Sequence, residues 1–303
     1  MSEHPTVNLD EIIARVPGWG AEEDLKVSKI GGLTNTNYLV ETHKRKYVLR
    51  ISGDNSALLG INRQVEHETM QVASANGLGP EVLYFFQPEG HLVTHFIEGR
   101  HWTYEEYCQP ENLARMVAAV KAVHNLPPIR AKTSPFHRVE KYLQHTRELG
   151  VPYPEGFGSA LKQMVEIKNT RLADPFPALG LCHNDLFALN FIDAGELVFI
   201  DWEFAGMGDI FYDLATLAYT FDSVGEIPAE LQDYILECYF GWVDDALRTR
   251  MRHMKFMVLF YSVMWGLLQH GLQNAGIIPS IDGFNYLAYA QFMLRTILEK
   301  DFN

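Results

Sequence analysis

Short apolar runs separated by polar turns dominate the first hundred residues of the chain. Runs of this kind are typical of β-strands. They predict five strands, over residues 27–30, 38–42, 46–52, 82–86 and 91–99. Before the fourth strand, Val65, Met70, Val72 and Ala73 have helical spacing, and Gly77 and Pro80 close that segment. The pattern predicts a sheet with one helix packed against it.

After residue 99 the apolar positions change to a helical period. One stripe contains Leu113, Met116, Val117, Val120 and Val123, and Pro127–Pro128 closes it. Further helices are predicted over residues 139–149, 158–172 and 229–247, and in the long run that begins at Met251. We therefore expect an α+β protein with an N-terminal lobe of residues 1–98 and a mostly helical C-terminal lobe of residues 99–303. A ligand is expected in the cleft between the lobes.

The composition is that of an ordinary globular protein, and the charge is acidic. Of 303 residues, 47% are apolar and 21% are charged. The 25 Lys and Arg against 38 Asp and Glu give a net charge of −13. Because an acidic surface repels phosphate backbones, we expect no nucleic-acid partner. The same charge weakly favours the approach of a cationic small molecule.

The sequence also bears on the compartment. Cys108, Cys182 and Cys238 form no CxxC pair, so a disulfide framework or zinc site is not predicted. The N-terminal segment lacks the basic start and apolar core of a signal peptide. The most apolar run, residues 256–268, has 13 residues, fewer than the roughly 18 of a membrane helix. We expect a cytoplasmic protein without membrane insertion, in which this run is a buried helix.

Two polar motifs interrupt the helical half of the chain. The first, CHNDLFALNF, places Asp185 five residues before Asn190, and the second ends an apolar run with Asp201. A hairpin through residues 193–195 brings Asn190 and Asp201 together, and such hard oxygen ligands suit Mg²⁺. Asp185 is then available to orient and deprotonate a hydroxyl group. Taken singly, each aspartate could equally be a helix cap or turn residue.

The combination of the two motifs follows the kinase catalytic loop H-R-D-x-x-x-x-N and its metal-binding D-F-G. Here Asn184 replaces the arginine, and Trp202–Glu203 replaces Phe–Gly. The form H-N-D-L-x-x-x-N followed by IDWEF resembles the choline/ethanolamine kinases and the wider aminoglycoside phosphotransferase-like group. The stretch IDWEFAGMGDIFYDLATLAY looks like bacterial choline kinases, and the resemblance runs from about Ile30 to Phe292.

This resemblance implies a two-lobed, protein-kinase-like fold, with ATP and Mg²⁺ as cofactors. It implies that Asp185 is the catalytic residue and that Asn190 and Asp201 hold magnesium. A phosphate-binding loop is implied at GGLTNTN, where Gly31 and Gly32 allow close approach and Thr34, Asn35 and Thr36 offer donors. The loop lacks the G-x-G-x-x-G spacing, so a plain hairpin turn remains an alternative.

Three further elements complete the implied nucleotide site. Arg50 on the third strand should contact the α- and β-phosphates, with Glu66, or else Glu68, as its helix partner. The alternative is that Arg50 is a surface strand residue. The segment His95, Phe96 and Ile97 should supply backbone hydrogen bonds to adenine. His183 is interpreted as structural, bonding backbone near the metal strand, and His124 as a helix-terminal residue.

The acceptor site is expected among aromatic and acidic residues after Asp201, because a quaternary ammonium is bound by aromatic faces and carboxylates. Its candidates are Trp202, Glu203, Phe204, Asp209, Phe211, Tyr212, Asp213, Tyr261 and Trp265. Trp265 matches the first tryptophan of the choline kinase wall, and the second falls at Leu268. Tyr261 and Trp265, four residues apart, could instead belong to the core, and Asp213 could be a structural cap.

The sequence thus predicts a kinase that transfers the γ-phosphoryl group of ATP to the hydroxyl of choline or a related amino alcohol. One alternative is the same fold acting on ethanolamine, thiamine, an aminoglycoside or a sugar. Another is a non-catalytic, nucleotide-binding homologue, which the intact Asp185, Asn190 and Asp201 disfavour. The sequence makes no prediction of oligomeric state.

Overall fold

A computed structural model describes residues 8–19, 25–32, 34–53, 55–174, 179–219, 225–281, 283–300 and 302. The chain divides into two compact units. The first consists of Met1–Asp54 and Pro80–Phe96, and the second of Asn55–Gly79 and Ile97–Asn303. The helix predicted around Val65 is therefore counted with the second unit, whereas the sequence analysis placed it in the N-terminal lobe.

The first unit contains a five-stranded antiparallel sheet. Its strands are β1 (Lys26–Gly31), β2 (Thr36–Glu41), β3 (Lys46–Ile51), β4 (Val82–Phe85) and β5 (Leu92–His95). The strand order is β1-β2-β3-β5-β4, so β3 lies at the centre. All five correspond to predicted strands.

One helix packs on this sheet within the first unit. It is α1 (Leu9–Arg15), which begins where the side chain of Asn8 accepts a hydrogen bond from the backbone of Asp10. Apolar residues in and after α1 join the central strands in one core, which contains Ile12, Val16, Trp19, Val40, Leu49, Ile51, Phe86 and Val93. The sequence analysis did not predict this helix and took the segment around Val65 as the sheet's partner.

The second unit is mostly helical. Its helices are α2 (Arg63–Ala75), α3 (Tyr104–Tyr107), α4 (Pro110–His124), α5 (Pro135–Glu148), α6 (Phe157–Leu172), α7 (Ile210–Thr216), α8 (Ala229–Phe240), α9 (Asp245–Asn274) and α10 (Tyr286–Leu298). Helix α9 has 30 residues and packs against α5, α6, α7, α8 and α10. A small antiparallel sheet in the first unit and a predominantly helical second unit confirm the predicted α+β class.

The most apolar run of the chain lies in the middle of α9. Every residue from Phe256 to Leu268 is buried except Trp265, which is partly exposed. This confirms the prediction of a buried helix. In the part of the chain that the structure describes, no helix is both long and apolar enough to cross a membrane.

The helix predicted over residues 229–247 is interrupted. It ends at Phe240 because Gly241 adopts φ 85°, a left-handed conformation that favours glycine and closes a helix. Asp244 then starts α9 by accepting a hydrogen bond from the backbone of Leu247 at 2.8 Å. The prediction of one continuous helix was wrong because the apolar positions continue across the break.

Two short antiparallel strand pairs hold the polar motifs in the second unit. Strand β6 (Leu179–Cys182) pairs with β9 (Gly206–Asp209), and β7 (Phe191–Asp193) pairs with β8 (Leu197–Phe199). The motif HNDLFALN connects β6 to β7, and Asp201 follows β8 within two residues. The segments that carry the predicted chemistry are thus anchored at both ends.

Close packing of α9 can be tested at Gly271. A Cβ atom there would lie 2.5 Å from Cγ2 of Val151 and 3.1 Å from Cδ1 of Leu149. We expect Gly271→Ala to lower the free energy of unfolding by about 1–3 kcal/mol, the usual effect of overpacking. The control is Gly158→Ala in α6, where nothing lies within 4 Å. Helix propensity should make that variant more stable by up to about 1 kcal/mol. Urea denaturation measures both, and equal stabilisation would contradict the packing.

Candidate active site

A buried carboxylate fixes the loop that carries Asp185. Asp213 on α7 has no solvent exposure, and it accepts hydrogen bonds from the backbone N–H groups of His183 and Asn184, both at 2.8 Å. Nε2 of His124, in the last turn of α4, lies 3.1 Å from the same carboxylate. The contacts of Asp213 are therefore those of a residue that positions the loop.

Asn184 makes a sharp change of direction at this point. Its φ of 65° is in the left-handed region, which asparagine tolerates better than most residues. Its side-chain Nδ2 donates to the carbonyl oxygens of Cys182 at 3.2 Å and Phe204 at 3.1 Å. The position of the kinase arginine is thus occupied by a residue that links the loop to the segment after Asp201.

His183 has the structural role that the sequence analysis assigned to it. Burial lowers the pKa of His183 to about 4, so the ring is neutral at physiological pH. Its Nε2 lies 2.9 Å from the carbonyl oxygen of Ile200 and donates to it. The imidazole therefore connects the loop directly to the strand that leads to Asp201.

The carboxylate of Asp185 is oriented by Asn190. Nδ2 of Asn190 donates to Oδ2 of Asp185 at 2.7 Å and to the backbone oxygen of Asp185 at 2.8 Å. The amide nitrogen thus faces Asp185, and the amide oxygen is the atom that can face a cation. The five-residue spacing seen in the sequence corresponds to this contact.

The surroundings of Asp185 favour its neutral form. Burial among protein atoms raises the pKa of Asp185 to about 7, and the charge of Glu203 adds to the rise. The guanidinium of Arg138 and the hydrogen bond from Asn190 oppose it. A carboxyl group with a pKa near neutrality can accept and release a proton at physiological pH.

The predicted hairpin is present and brings Asn190 beside Asp201. Strands β7 and β8 pair Phe191 with Phe199. Beyond them the backbone N–H of Ile200 donates to the carbonyl oxygen of Asn190 at 2.9 Å. Asp201 is the next residue, with φ 62° and ψ 59°, a left-handed conformation that costs free energy outside glycine. The chain thus turns sharply at Asp201.

A cluster of carboxylates surrounds Asp201. One oxygen atom from each of Glu66, Asp201 and Glu203 lies within 4.8 Å of the others. Nη1 of Arg63 lies 2.9 Å from both Glu66 and Glu203 and compensates part of their charge. Carboxylate and amide oxygens are the hard ligands that Mg²⁺ takes, so Asp201, its acidic neighbours and the amide oxygen of Asn190 fit this ion. Sequence reasoning missed Arg63, although an arginine three residues before Glu66 was a usable signal.

The predicted nucleotide-binding residues fall mainly in the first unit. Gly31 and Gly32 have φ of 129° and 117°, and a side chain at Gly32 would overlap the carbonyl oxygen of Asn35. Thr34 and Asn35 follow in the same loop, whereas Leu33 lies outside the described residues. The positive φ of both residues and the nearby carbonyl oxygen at Gly32 therefore favour glycine at these two positions.

Arg50 is 8% exposed and lies on β3, so the alternative of a surface strand residue is wrong. Glu66 belongs to the second unit, and its predicted contact with Arg50 stays a prediction.

In β5 and just beyond it, the backbone N–H groups of His95 and Phe96 donate to the backbone oxygens of Glu81 and Lys46 at 3.1 Å each. Ile97 begins the second unit. The adenine contacts predicted for residues 95–97 also stay predictions.

Two predicted acceptor-binding residues have contacts that indicate structural roles. Trp202 is fully buried, and its Nε1 donates to the carbonyl oxygen of Phe199 at 2.9 Å. The carboxylate of Asp209 pairs with Arg171 and caps α7 through the backbone N–H of Phe211 at 3.0 Å. We do not carry either residue into the proposed acceptor site.

Tyr212 and Tyr261 surround an arginine that the sequence analysis missed. The guanidinium carbon of Arg138 lies 4.4 Å from the ring centre of Tyr261, 5.3 Å from that of Phe204 and 5.5 Å from that of Tyr212. Arg138 lies on α5, four residues before the buried Tyr142. The predicted helix began at Val139 and so left Arg138 outside it; the four-residue spacing from Arg138 to Tyr142 was the signal available in the sequence.

Trp265 lies in a second aromatic cluster. Its ring is edge-on to Phe284, Tyr286 and Tyr289, with ring centres 6.4, 5.4 and 5.8 Å away. Tyr286 is buried, whereas Trp265, Phe284 and Tyr289 keep partial exposure. These three half-exposed rings can offer faces to a ligand. The sequence analysis did not single out Phe284 or Tyr289, although the aromatic spacing in FNYLAY was visible.

The chain is similar to known proteins over most of its length. The profile of the choline/ethanolamine kinase family matches residues 27–224. Protein LicA of Haemophilus influenzae is 25% identical over 258 residues, and the alignment covers 81% of this chain and 73% of LicA. Ethanolamine kinase 1 of Mus musculus is 26% identical over 236 residues, with 71% of this chain and 63% of the kinase covered.

A solved structure extends the similarity to the fold. The choline/ethanolamine kinase family protein from Mesorhizobium loti superposes with a TM-score of 0.75 at 26% identity, covering 96% of this chain and 95% of that chain. The family profile covers well over half of the chain and includes the catalytic loop and the hairpin. The resemblance stated from the sequence is confirmed: the chain belongs to the choline/ethanolamine kinase family.

Proposed function

We propose that this protein transfers the γ-phosphoryl group of ATP to the hydroxyl group of choline or ethanolamine. One observation carries the proposal. Asn190 holds the carboxylate of Asp185 by a 2.7 Å hydrogen bond, and the hairpin places Asp201 next to Asn190. The residue that we propose as proton acceptor is thus adjacent to the residues that we propose to hold magnesium, an arrangement that supports phosphoryl transfer to a hydroxyl.

Each group in this arrangement has a distinct role. Asp185 accepts a hydrogen bond from the acceptor hydroxyl, orients it for attack and takes its proton. Asn190 keeps the Asp185 carboxylate in place. Asp201 and Asn190, with Glu203 nearby, would hold Mg²⁺, which neutralises charge on the phosphoryl groups when bound. Most of the rate enhancement then comes from positioning and electrostatic stabilisation.

The nucleotide is assigned to the groups that the sequence analysis selected. The glycine turn of Gly31 and Gly32 would admit the phosphates to the backbone, with donors from Thr34 and Asn35. Arg50 would position the α- and β-phosphates. Adenine would bind the backbone around residues 95–97.

We propose that the enzyme works in the cytoplasm, because ATP is abundant there and Cys108, Cys182 and Cys238 are free thiols.

The cationic end of the acceptor is assigned to Trp265 and the half-exposed rings of Phe284 and Tyr289. Aromatic faces attract an ammonium group through the ring quadrupole. A family whose profile is that of choline/ethanolamine kinases supports an amino alcohol as the substrate. The net charge of −13 also favours a cationic acceptor over an anionic one.

The role of Asp185 predicts the effect of Asp185→Asn. Asparagine can still accept the hydrogen bond from Asn190 but cannot take a proton. We expect the melting temperature and ATP affinity to be unchanged and kcat to fall by about 10²–10⁴. Asp245→Asn, which changes a fully exposed carboxylate on α9, is the control and should keep full activity. Near-normal turnover by purified Asp185→Asn protein would remove the assigned role.

The metal site predicts the effect of Asp201→Asn. Asparagine tolerates the left-handed backbone at this position, so the substitution removes charge with little strain. Loss of a charged ligand should lower turnover at least about a hundredfold, because metal binding contributes several kcal/mol to catalysis. Titration calorimetry should show weaker binding of Mg·ATP, and activity should rise again with excess Mg²⁺. An unchanged magnesium dependence would place the ion elsewhere.

The aromatic cluster predicts the effect of Trp265→Ala. Loss of one cation–π face costs about 2 kcal/mol in a desolvated site, which corresponds to roughly a thirtyfold lower kcat/KM for choline. Ethanolamine should be affected less, because its ammonium group can donate hydrogen bonds. Exposed Trp242 supplies the control, Trp242→Ala. Equal losses on both substrates together with a lower melting temperature would instead assign Trp265 to the core.

A further inference from the structure

Arg138 is a buried cation whose charge acts on Asp185 and that the proposed roles do not use. The residue is 8% exposed, and it projects from α5 into the interior of the second unit. Among the described residues, none forms a hydrogen bond with Nε, Nη1 or Nη2 of its guanidinium group. Five N–H donors that lie side by side are therefore buried without an oxygen atom to accept them.

Aromatic rings hold this guanidinium in place. Tyr261, Phe204 and Tyr212 lie with their ring centres 4.4, 5.3 and 5.5 Å from its central carbon. The hydroxyl of Tyr142 donates to the carbonyl oxygen of Leu59 at 2.9 Å, so the 3.1 Å contact between Tyr261 and Tyr142 is donated by Tyr261. The ring that lies closest to Arg138 is thus locked by hydrogen bonds.

This arrangement has an energetic consequence. Aromatic faces stabilise the charge of Arg138 but accept few of its N–H groups, and a buried cation without acceptors is unfavourable. The same rings are occupied by the protein's own cation, so they are not available to surround the ammonium group of a substrate. The site is therefore suited to an oxygen atom of the ligand and not to its cationic end.

The chemistry of Arg138 and Asp185 limits which functional group of a substrate can bind to both side chains. The guanidinium of Arg138 lies 5.3 Å from the ring centre of Phe204, whose carbonyl oxygen accepts a hydrogen bond from Asn184, the residue before Asp185. No hydrogen bond joins Arg138 to Asp185. A hydroxyl group can bridge them, because it accepts a hydrogen bond from the guanidinium while it donates its proton to the carboxylate. A bridging hydroxyl is also the group that the reaction activates.

We propose that Arg138 is an acceptor-binding residue that donates hydrogen bonds to the nucleophilic oxygen of the substrate and keeps the substrate's cationic end away. This rests on the proposed function, in which Asp185 takes the hydroxyl proton. As that O–H bond breaks, the oxygen forms a bond to the γ-phosphorus. The bond from this phosphorus to the bridging oxygen breaks, and ADP leaves with the electron pair. Arg138 stabilises the negative charge on the attacking oxygen and fixes the direction of the amino alcohol.

The test is Arg138→Met, which removes the charge but keeps a long apolar side chain against the three rings. Coupled ADP release should show kcat/KM for choline and ethanolamine reduced about a hundredfold, as for a charge-assisted bond lost in a buried site. The KM for Mg·ATP should stay within a factor of about three, because the nucleotide is bound by other groups. The melting temperature should be unchanged or higher, since an unpaired buried charge has been removed.

Two further variants sharpen the test. Arg138→Lys keeps the charge and some donors and should recover part of the activity. Arg147→Met changes an exposed arginine on the same helix and should behave as wild type. A lower melting temperature of Arg138→Met with proportional loss on all substrates would overturn the proposal in favour of a structural role. A raised KM for Mg·ATP with unchanged acceptor kinetics would overturn it in favour of nucleotide binding.

The experiment separates this proposal from the proposed function. If the Arg138→Met variant phosphorylates an amino alcohol as well as the wild-type protein does, the proposed function stands and the inference is overturned. If neither choline nor ethanolamine is phosphorylated, the proposed function fails, and the same assay is read with thiamine, serine and sugars. Dependence of any active acceptor on Arg138 then supports the inference. Turnover of none of these compounds by the wild-type protein would overturn both.

Discussion

The geometry of the site depends on one buried carboxylate, that of Asp213. Two consecutive backbone N–H groups, of His183 and Asn184, donate to it, and the charge is enclosed without solvent contact. A buried charge is tolerated only when several donors satisfy it. Two of the donors to Asp213 belong to the loop itself, and Nε2 of His124 is the third group in contact, so movement of the loop would remove two hydrogen bonds from a buried carboxylate. The left-handed backbone of Asn184 is held by the same contacts. Asp185, the next residue, takes its position from this constraint.

The constraint extends from the loop to the proposed magnesium ligands through short contacts. The imidazole of His183 donates to Ile200, and the backbone of Ile200 donates to Asn190. Asn190 in turn holds Asp185. The proton acceptor and the proposed magnesium ligands therefore form one hydrogen-bonded assembly, in which displacement of one member strains the others. Preorganisation of this kind is what phosphoryl transfer needs, because its catalysis is mostly positioning.

The sequence predicted the parts of this assembly that lie close together in the chain. Asp185 and Asn190 are five residues apart, and the hairpin to Asp201 is a local turn, so spacing alone was informative. Residues that meet across distant elements were missed: Arg63 on α2 pairs with Glu203, and Arg138 on α5 meets Tyr261 on α9. Residue type alone suggested acceptor binding for Trp202 and Asp209. In the structure the ring of Trp202 packs in the core, and the carboxylate of Asp209 caps a helix. The break at Gly241 was missed because apolar residues continue at helical spacing on both sides of this glycine.

Among the described residues around Asp185 and Asp201, carboxyl groups outnumber guanidinium groups. Asp185, Asp201, Glu66 and Glu203 supply four carboxylates, against the two guanidinium groups of Arg63 and Arg138. Burial is the main cause of the raised pKa of Asp185, and the charges of Glu203 and Asp213 add to the rise. A cation held by Asp201 would lower that pKa, since a nearby positive charge favours the ionised form. In the proposed function, a cation at Asp201 would therefore increase the ionised fraction of Asp185, which is the form that accepts a proton.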